Sequence, residues 1–284
     1  MDKPIACGGA RRRGWVAPAL VAPVLVALAC CAGRTPSKTP PPATILDEEP
    51  PRMVSAFFGL DDAMPLEGFR LCSGAPGRDG MPVTFSRRVT GPIDPGAFTA
   101  ITRSGARRQP LCATLKPADE SSENHTVLLI GELGSEPDDP PARVEMTGHL
   151  LLEGGVDAQG LSAPVTPLAE GPTIVLAFSY PAGAIDSDCP PGTRQLVEVV
   201  WAGGVRPGPG STPETHRQGY QVKIDEQTVT PFALGDLDDR DNYVHLCLDT
   251  EVPAREVGFQ ENILIDPRGD VNPRTTLAIT QARR

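Results

Sequence analysis

The sequence predicts an all-β protein in which two β-sandwich domains follow each other along the chain. Three observations lead to this fold class: many short apolar runs, glycine and proline between the runs, and a long internal repeat. The 284 residues are enough for two domains of ordinary size, and the 29 glycines and 32 prolines show no collagen-like period. Short strands joined by turns account for this composition.

The internal repeat relates residues 98–130 to residues 220–248. Each copy opens on an aromatic residue with alternating apolar positions, crosses an acidic loop, and enters a second apolar run after Asn124 or Asn242. A Pro-Ala-Arg tripeptide follows each copy, and an isolated cysteine precedes it. The period of about 115 residues is the size of one small domain, so the repeat predicts a tandem duplication.

Residues 1–29 have the features of a bacterial export signal. Three arginines at positions 11–13 supply positive charge, and the apolar run of residues 15–28 ends on Ala29, directly before Cys30. The paired arginines also fit a twin-arginine signal. A single transmembrane anchor is the alternative, but the apolar run is short for a span and contains two prolines.

The segment Val-Ala-Leu-Ala-Cys at residues 26–30 resembles the lipobox of bacterial lipoproteins. In that family the cysteine is acylated and becomes the new N-terminus. The resemblance implies that Cys30 carries the lipid, with Cys31 as the second candidate, and that a lipid anchor holds the protein to a membrane of the bacterial envelope. Residues 30–52 are rich in proline, threonine and serine, which predicts a flexible tether between anchor and body.

Residues 53–165 are predicted to form the first sandwich and residues 168–282 the second. Residues 162–171 contain two prolines and are predicted to be a linker, and the Gly- and Pro-rich segment 206–218 is predicted to be a loop. Six or seven short strands in about 110 residues are typical of an immunoglobulin-type (Ig-like) sandwich. The predicted strands of the first sandwich are residues 54–58, 81–86, 98–102, 126–131 and 142–151, and those of the second are residues 174–178, 196–202, 220–224, 244–248, 256–259 and 277–280.

Each half of the sequence also closes on an Asp-led turn, at residues 157–160 and 266–270. Asp accepts backbone N–H bonds at the start of such a turn, and Gly takes the positive φ at its end. Together with Phe85-Ser86 and residues 93–95, Ile-Asp-Pro, these turns resemble bacterial Ig-like domains of the surface-layer and adhesin kind. The resemblance implies a sandwich fold, export, and a spacer or binding role without shared catalytic residues.

Four of the seven cysteines lie in the body of the chain, and an even number in an exported protein predicts two disulfides. Three connectivities are open to four cysteines, and the repeat selects one bridge per domain. The second cysteine precedes the acidic loop in the first copy and follows it in the second. A zinc site built on these cysteines would need paired Cys or His residues at short spacing, which the sequence lacks. The predicted bridges are Cys72–Cys112 and Cys189–Cys247.

The acidic loop of the second repeat is the main candidate site. Calcium needs several oxygen ligands that converge on one point, which a loop rich in carboxylates can supply. The spacing does not match an EF-hand loop, because an arginine stands at a ligand position, so a solvated acidic loop is the favoured alternative. No other cofactor is predicted. The candidate calcium ligands are Asp236, Asp238, Asp239, Asp241 and Asn242.

The formal net charge of −10 makes nucleic acid an unexpected partner, because an acidic surface repels phosphate. The sequence therefore predicts a non-enzymatic, membrane-tethered envelope lipoprotein that acts as a spacer, adhesin or binding module for a protein or glycan ligand. The second domain, which has the more acidic loop, is predicted to carry the binding.

His125 and His245 follow the two acidic loops and are predicted to pack or to form local hydrogen bonds. The alternative function is a secreted hydrolase or carbohydrate-active accessory protein, which converging carboxylates or a Ser–His pair would favour.

Overall fold

Strands account for almost all of the regular structure in this computed structural model, which describes residues 49–120, 122–237 and 241–282. The all-β prediction is therefore confirmed. Within these residues the only α-helix is the short α1 (Pro213–Gly219), and two 3-10 helices lie at Leu66–Arg70 and Pro95–Ala97. None of the helices in the described part of the chain has the length and apolar character needed to cross a membrane.

The first half of the body contains ten strands. One sheet joins eight of them in the order β4-β3-β7-β10-β1-β2-β6-β5. In this sheet β1 and β10 are parallel, and all other neighbouring pairs are antiparallel. Strands β8 and β9 form a separate hairpin. The strands are β1 (Met53–Phe57), β2 (Asp79–Phe85), β3 (Phe98–Thr102), β4 (Arg107–Arg108), β5 (Cys112–Thr114), β6 (Thr126–Gly131), β7 (Pro141–Met146), β8 (Leu151–Leu152), β9 (Val156–Asp157) and β10 (Ser162–Thr166).

The second half repeats most of these pairs, but its strands are divided between two main sheets where the first half has one continuous sheet. Its two main sheets have the orders β16-β17-β12-β11-β21 and β15-β14-β18-β20, with β11 and β21 parallel, and β13 pairs with β19 in a small third sheet. The strands are β11 (Ile174–Pro181), β12 (Gln195–Trp201), β13 (Arg206–Pro207), β14 (Tyr220–Ile224), β15 (Gln227–Val229), β16 (Ala233–Gly235), β17 (Tyr243–Leu248), β18 (Ala254–Phe259), β19 (Leu264–Ile265), β20 (Thr275–Ala278) and β21 (Thr280–Gln281).

Burial follows the alternation of the sequence. Strand β14, Tyr-Gln-Val-Lys-Ile, buries its first, third and fifth residues and exposes the two polar ones, because successive side chains of a strand point to opposite faces. Strand β12 is buried along its whole length. Each half has its own hydrophobic core: one includes Phe58, Phe85 and Phe98, and the other includes Trp201 and Tyr220.

Three segments differ from their predictions. The predicted strand at residues 142–151 ends at Met146, and residues 147–150 separate it from β8. Residues 162–166 of the predicted linker form β10, because Ala163 and Val165 point into the core. Residues 162–164 pair with β7 on one side only, so Pro164 does not have to donate a hydrogen bond on the other side. The predicted loop 206–218 contains α1. There the Thr212 hydroxyl accepts a hydrogen bond from the Thr215 N–H at 3.0 Å, and proline occupies the first turn, a common helix start.

Both closing turns are built on aspartate as predicted. Asp157 Oδ1 accepts from the Gln159 N–H at 3.0 Å, and Gly160 has a φ of 88°. Asp266 Oδ1 accepts from three successive N–H groups, and Gly269 has a φ of 102°. The side chain of an aspartate at the start of the turn thus replaces ladder hydrogen bonds that the backbone gives up.

The structure contains the disulfides Cys72–Cys112 and Cys189–Cys247, the pairs that the repeat selected. They start from corresponding loops, β1–β2 and β11–β12, but end on neighbouring strands. Cys112 of β5 lies opposite Ile130 of β6, whereas Cys247 of β17 lies opposite Ala233 of β16. Each bridge therefore ties the corresponding loop of its half to the same position in the sheet, through one or the other of two paired residues. This explains why the second cysteine precedes the acidic loop in the first copy and follows it in the second. Two disulfides fit an oxidising compartment outside the cytoplasm.

Candidate functional site

The segments that precede β6 and β17 meet where the two halves of the body touch. The Tyr243 hydroxyl donates a hydrogen bond to the Glu123 carbonyl oxygen and accepts one from the His125 N–H at 3.2 Å. The Asn242 side-chain amide donates to Thr126 Oγ1 at 3.1 Å. These two segments are the acidic loops of the two similar stretches of sequence, and they lie against each other.

Apolar contacts close the same junction. Ala118 of the first half is buried with Val200 and Tyr243 of the second, and the His125 ring stacks on Phe178 with centroids 4.8 Å apart. Burial lowers the pKa of His125, and its Nδ1 donates to the Phe85 carbonyl oxygen at 3.1 Å because that oxygen can only accept. His125 is therefore a neutral packing residue, as predicted.

A buried group of two carboxylates and one imidazole lies at this junction. Glu123, Asp236 and His245 each direct one potential ligand atom into a space where all three atoms lie within 4.8 Å of one another. Glu123 comes from the first half, Asp236 directly follows β16, and His245 lies in β17. We call these three residues the junction triad.

A fourth side chain borders the junction triad. Glu198 lies opposite His245 in the pairing of β12 with β17, and its Oε1 is 3.5 Å from His245 Nε2. Its other oxygen accepts a hydrogen bond from the Tyr180 hydroxyl at 3.4 Å, and burial raises the pKa of that tyrosine. Glu198 is fully buried, so a carboxylate lies deep in the body beside the histidine.

Crowded carboxylates change the charge state of the junction. Burial, a hydrogen bond with Glu120 and the nearby charges of Asp241 and Asp236 raise the pKa of Glu123 to about 11. The same hydrogen bond lowers the pKa of Glu120. The raised pKa favours the neutral form of Glu123, because a second buried negative charge would be costly.

The predicted calcium ligands have separate roles in the structure. Asp238 and Asp239 lie outside the described residues, as does the predicted lipidation site Cys30. Asp241 Oδ1 accepts from the Tyr243 N–H at 2.7 Å, and the Asn242 amide also donates to the Trp201 carbonyl oxygen at 2.8 Å. Of the predicted ligands, Asp236 is the one that joins the junction triad.

Sequence reasoning missed two members of this group. The sequence assigns no role to Glu123 and predicts packing or a local hydrogen bond for His245, because neither belongs to a dense run of acids. The sequence does contain a signal for both residues. Glu123 directly precedes Asn124, and His245 follows Asn242 after two residues, so both lie at the start of the second apolar run in their copy of the repeat. Only the contact between the two halves brings these residues together.

A second acidic group, Asp61, Asp62 and Asp79, is explained by the fold itself. Asp79 Oδ1 accepts from the Asp62 N–H at 2.9 Å, and Oδ2 accepts from the Leu133 N–H at 2.6 Å. Burial raises the pKa of Asp79 despite these bonds. The carboxylate replaces backbone partners for two loops, a structural role that needs no ligand.

Two adjoining clefts open at the junction. The smaller, of about 240 Å³, is mostly apolar and includes Leu60 and Leu128. The larger, of about 700 Å³, includes Arg206, Asp236 and Leu237 in its lining. Four residues line both clefts, which makes them one continuous groove: Pro65, Gly204, Asp241 and Pro267.

Close backbone contact shapes one wall of the groove. A Cβ atom on Gly203 of the second half would lie 2.7 Å from the Phe57 ring of the first half. A larger residue at position 203 would therefore push the two halves apart, since real Cβ contacts are longer than 3.0 Å. The groove depends on a glycine where the halves touch.

No protein-family model matches the chain, and no curated protein matches its sequence.

Proposed function

We propose that this chain is a non-enzymatic, lipid-anchored protein of the bacterial envelope, whose two tandem Ig-like domains bind a partner in the groove at their junction. The anchor follows from the lipobox-like segment that ends at Cys30. An oxidising location is supported by the two disulfides. The residues proposed for the two domains are 53–165 and 168–282.

The strand pairings support the Ig-like assignment. With β1, β2, β5 and β6 taken as strands A, B, D and E, the Ig pairs A–B, B–E and E–D are present. With β3, β7 and β10 taken as strands C, F and G, the pairs C–F and F–G are present as well. The corresponding strands of the second half pair in the same way.

The observation that carries the binding function is the groove shared by the two clefts. Binding sites are typically concave, mostly apolar and supplied with a few polar groups that orient the ligand. The smaller cleft provides the apolar part and the larger adds the carboxylates of Asp236 and Asp241. Leu237, which is 48% exposed, adds an apolar contact in the larger cleft.

The chemistry of the groove selects a class of partner. The carboxylates of Asp236 and Asp241 share the lining of the groove with Lys116 and Arg206. The apolar cleft fits an apolar side chain of a peptide segment, and the carboxylates fit a basic side chain next to it. The overall charge of −10 favours a positively charged partner and disfavours nucleic acid. The proposed partner is therefore a basic, partly apolar segment of another envelope protein.

A fluorescent peptide of alternating leucine and lysine tests this function on the full body of the protein. Binding is expected at micromolar concentration, and Leu60→Lys is expected to weaken it about tenfold or more, because it adds a positive charge to the apolar cleft. Fluorescence anisotropy measures both affinities. A matched peptide of leucine and glutamate should bind no better than the variant.

The control variant is Leu151→Lys, which places the same charge on an exposed leucine that does not line the groove. It should bind the lysine peptide like the wild type. Equal loss of binding in both variants, or equal affinity for the two peptides, would contradict the groove as the binding site.

Converging carboxylates favour hydrolysis as the second candidate function. Glu123 and Asp236 approach each other at the junction, and Asp236 lines the larger cleft. However, Glu123 is 1% exposed, and a general acid works best with a pKa near the working pH rather than at about 11. A panel of nitrophenyl glycosides and esters decides the matter. Turnover that Asp236→Asn abolishes would establish the hydrolase, and we expect none.

A further inference from the structure

The junction triad has the composition of a metal site rather than of a solvated acidic loop. Its three potential ligand atoms lie within 4.8 Å of one another, and His245 Nε2 is 4.0 Å from Asp236 Oδ2. The backbone fixes two of the three residues: His245 lies between β12 and β16 in the sheet, and Asp236 follows β16 with a φ of 60°. Such a positive φ is uncommon for a residue other than glycine, and it aims the side chain at a defined point.

A second, independent observation points to a missing ligand. His245 is 3% exposed, yet neither of its ring nitrogens has a hydrogen-bond partner among the described residues. Glu123 Oε2 and Glu198 Oε1 are likewise buried without a hydrogen-bond partner in this part of the chain. Buried polar atoms are nearly always paired, so a buried histidine with two unpaired ring nitrogens, beside the unpaired oxygen of Glu123, points to a bound ligand.

We propose that the junction triad of Glu123, Asp236 and His245 binds a divalent transition-metal cation of the Zn²⁺ type. Imidazole and carboxylate together suit Zn²⁺ and its neighbours in the first transition series. Ligand atoms at about 2.1 Å from a four-coordinate ion lie roughly 3.4 Å apart, so small rotations of the three side chains would bring their ligand atoms to this separation. Glu198 Oε1, at 3.5 Å from His245 Nε2, borders the site.

The ligand set distinguishes this cation from calcium. Ca²⁺ takes six to eight oxygen ligands, including carbonyl and amide oxygens, and does not favour an imidazole nitrogen. The junction triad combines one imidazole with two carboxylates and draws them from both halves, which points to a transition-metal site shared between the halves.

The approach of two carboxyl groups supports a bound cation. Glu123 and Asp236 each place one oxygen in the same small space, within 4.8 Å of each other. A divalent ion between them would offset the mutual repulsion of two carboxylates. Because Glu123 belongs to one half and Asp236 and His245 to the other, the ion would also cross-link the halves beside the groove.

Isothermal titration of the chelator-treated body with zinc chloride tests this proposal. We expect one ion per chain and a melting temperature that rises with zinc, because an ion that binds only the folded state stabilises it by mass action. Loss of an outer-shell partner typically weakens metal binding about 10- to 100-fold, so loss of a direct ligand should weaken it at least as much. The variants for this test are Glu123→Gln, Asp236→Asn and His245→Gln.

The control variant is Asp62→Asn in the other acidic group, which should bind zinc like the wild type. If His245→Gln does not fold, Asp236→Asn decides, since that side chain is 14% exposed and its change removes no core volume. Cobalt bound in place of zinc should show the visible absorption of a four-coordinate site.

Three results would overturn the proposal. The first is a folded wild type that binds no zinc. The second is a triad variant that binds zinc as the wild type does. The third is calcium binding at the same residues with equal or higher affinity.

Discussion

Replacing Trp201 by alanine is expected to lower the free energy of unfolding by about 3–5 kcal/mol. Trp201 is fully buried in the core of the second half, its ring stands edge-on to Phe259 at 5.2 Å, and its Nε1 donates to the Tyr220 hydroxyl at 3.0 Å. The variant loses the burial of a large ring and leaves a cavity that the surrounding strands cannot fill. Urea unfolding followed by circular dichroism measures the loss.

Tyr220→Phe separates the hydrogen bond from the packing. It keeps the ring volume and leaves only the Trp201 N–H without its acceptor, which should cost about 1–3 kcal/mol. Leu151→Ala on the surface should change the stability by less than about 0.5 kcal/mol. If Trp201→Ala were as stable as the surface variant, Trp201 would not be the centre of the second core.

Removal of a disulfide is expected to have the second large effect. Exchanging Cys189 and Cys247 together for alanine opens a loop with a sequence separation of 58, and the pair Cys72 and Cys112 has a separation of 40. Each loss should lower the free energy of unfolding by about 2–4 kcal/mol in the chain-entropy description, with the longer loop at the upper end.

Reductant supplies the control for this prediction. The wild type should lose stability when it is reduced, whereas a variant without all four cysteines should be insensitive to reductant. Wild-type stability that is unchanged by reductant would show that the cross-links do not hold the loops in place.

Much of the fold could be predicted from the sequence because strand formation depends on local patterns. Residues 98–102, 126–131 and 220–224 alternate clearly or are continuously apolar, and they form β3, β6 and β14 with the predicted bounds. Strand β10 was missed because proline weighs against a strand when its partners are unknown. Helix α1 was missed because seven residues give too few turns to show a helical period.

The junction could not be predicted in the same way. Its residues come from both halves, and nothing in the local sequence states which loops touch. Glu123 in isolation is one acid in a polar loop, and it acquires an unusual environment only when Asp236 and His245 approach from the other half. The repeat predicted equivalent loops, but contact between them depends on how two cores pack, which is a tertiary property.

Mass spectrometry of the native protein purified from its own envelope tests the central claim most directly. If the chain is a lipid-anchored envelope protein, its mature form should begin at Cys30, and the mass of the N-terminal peptide should include covalently attached acyl chains. Cys30→Ala should abolish acylation at that position, with Cys31 as the neighbouring acceptor to be checked in the same spectrum. A mature chain with an unmodified N-terminus at another position would contradict the lipid anchor.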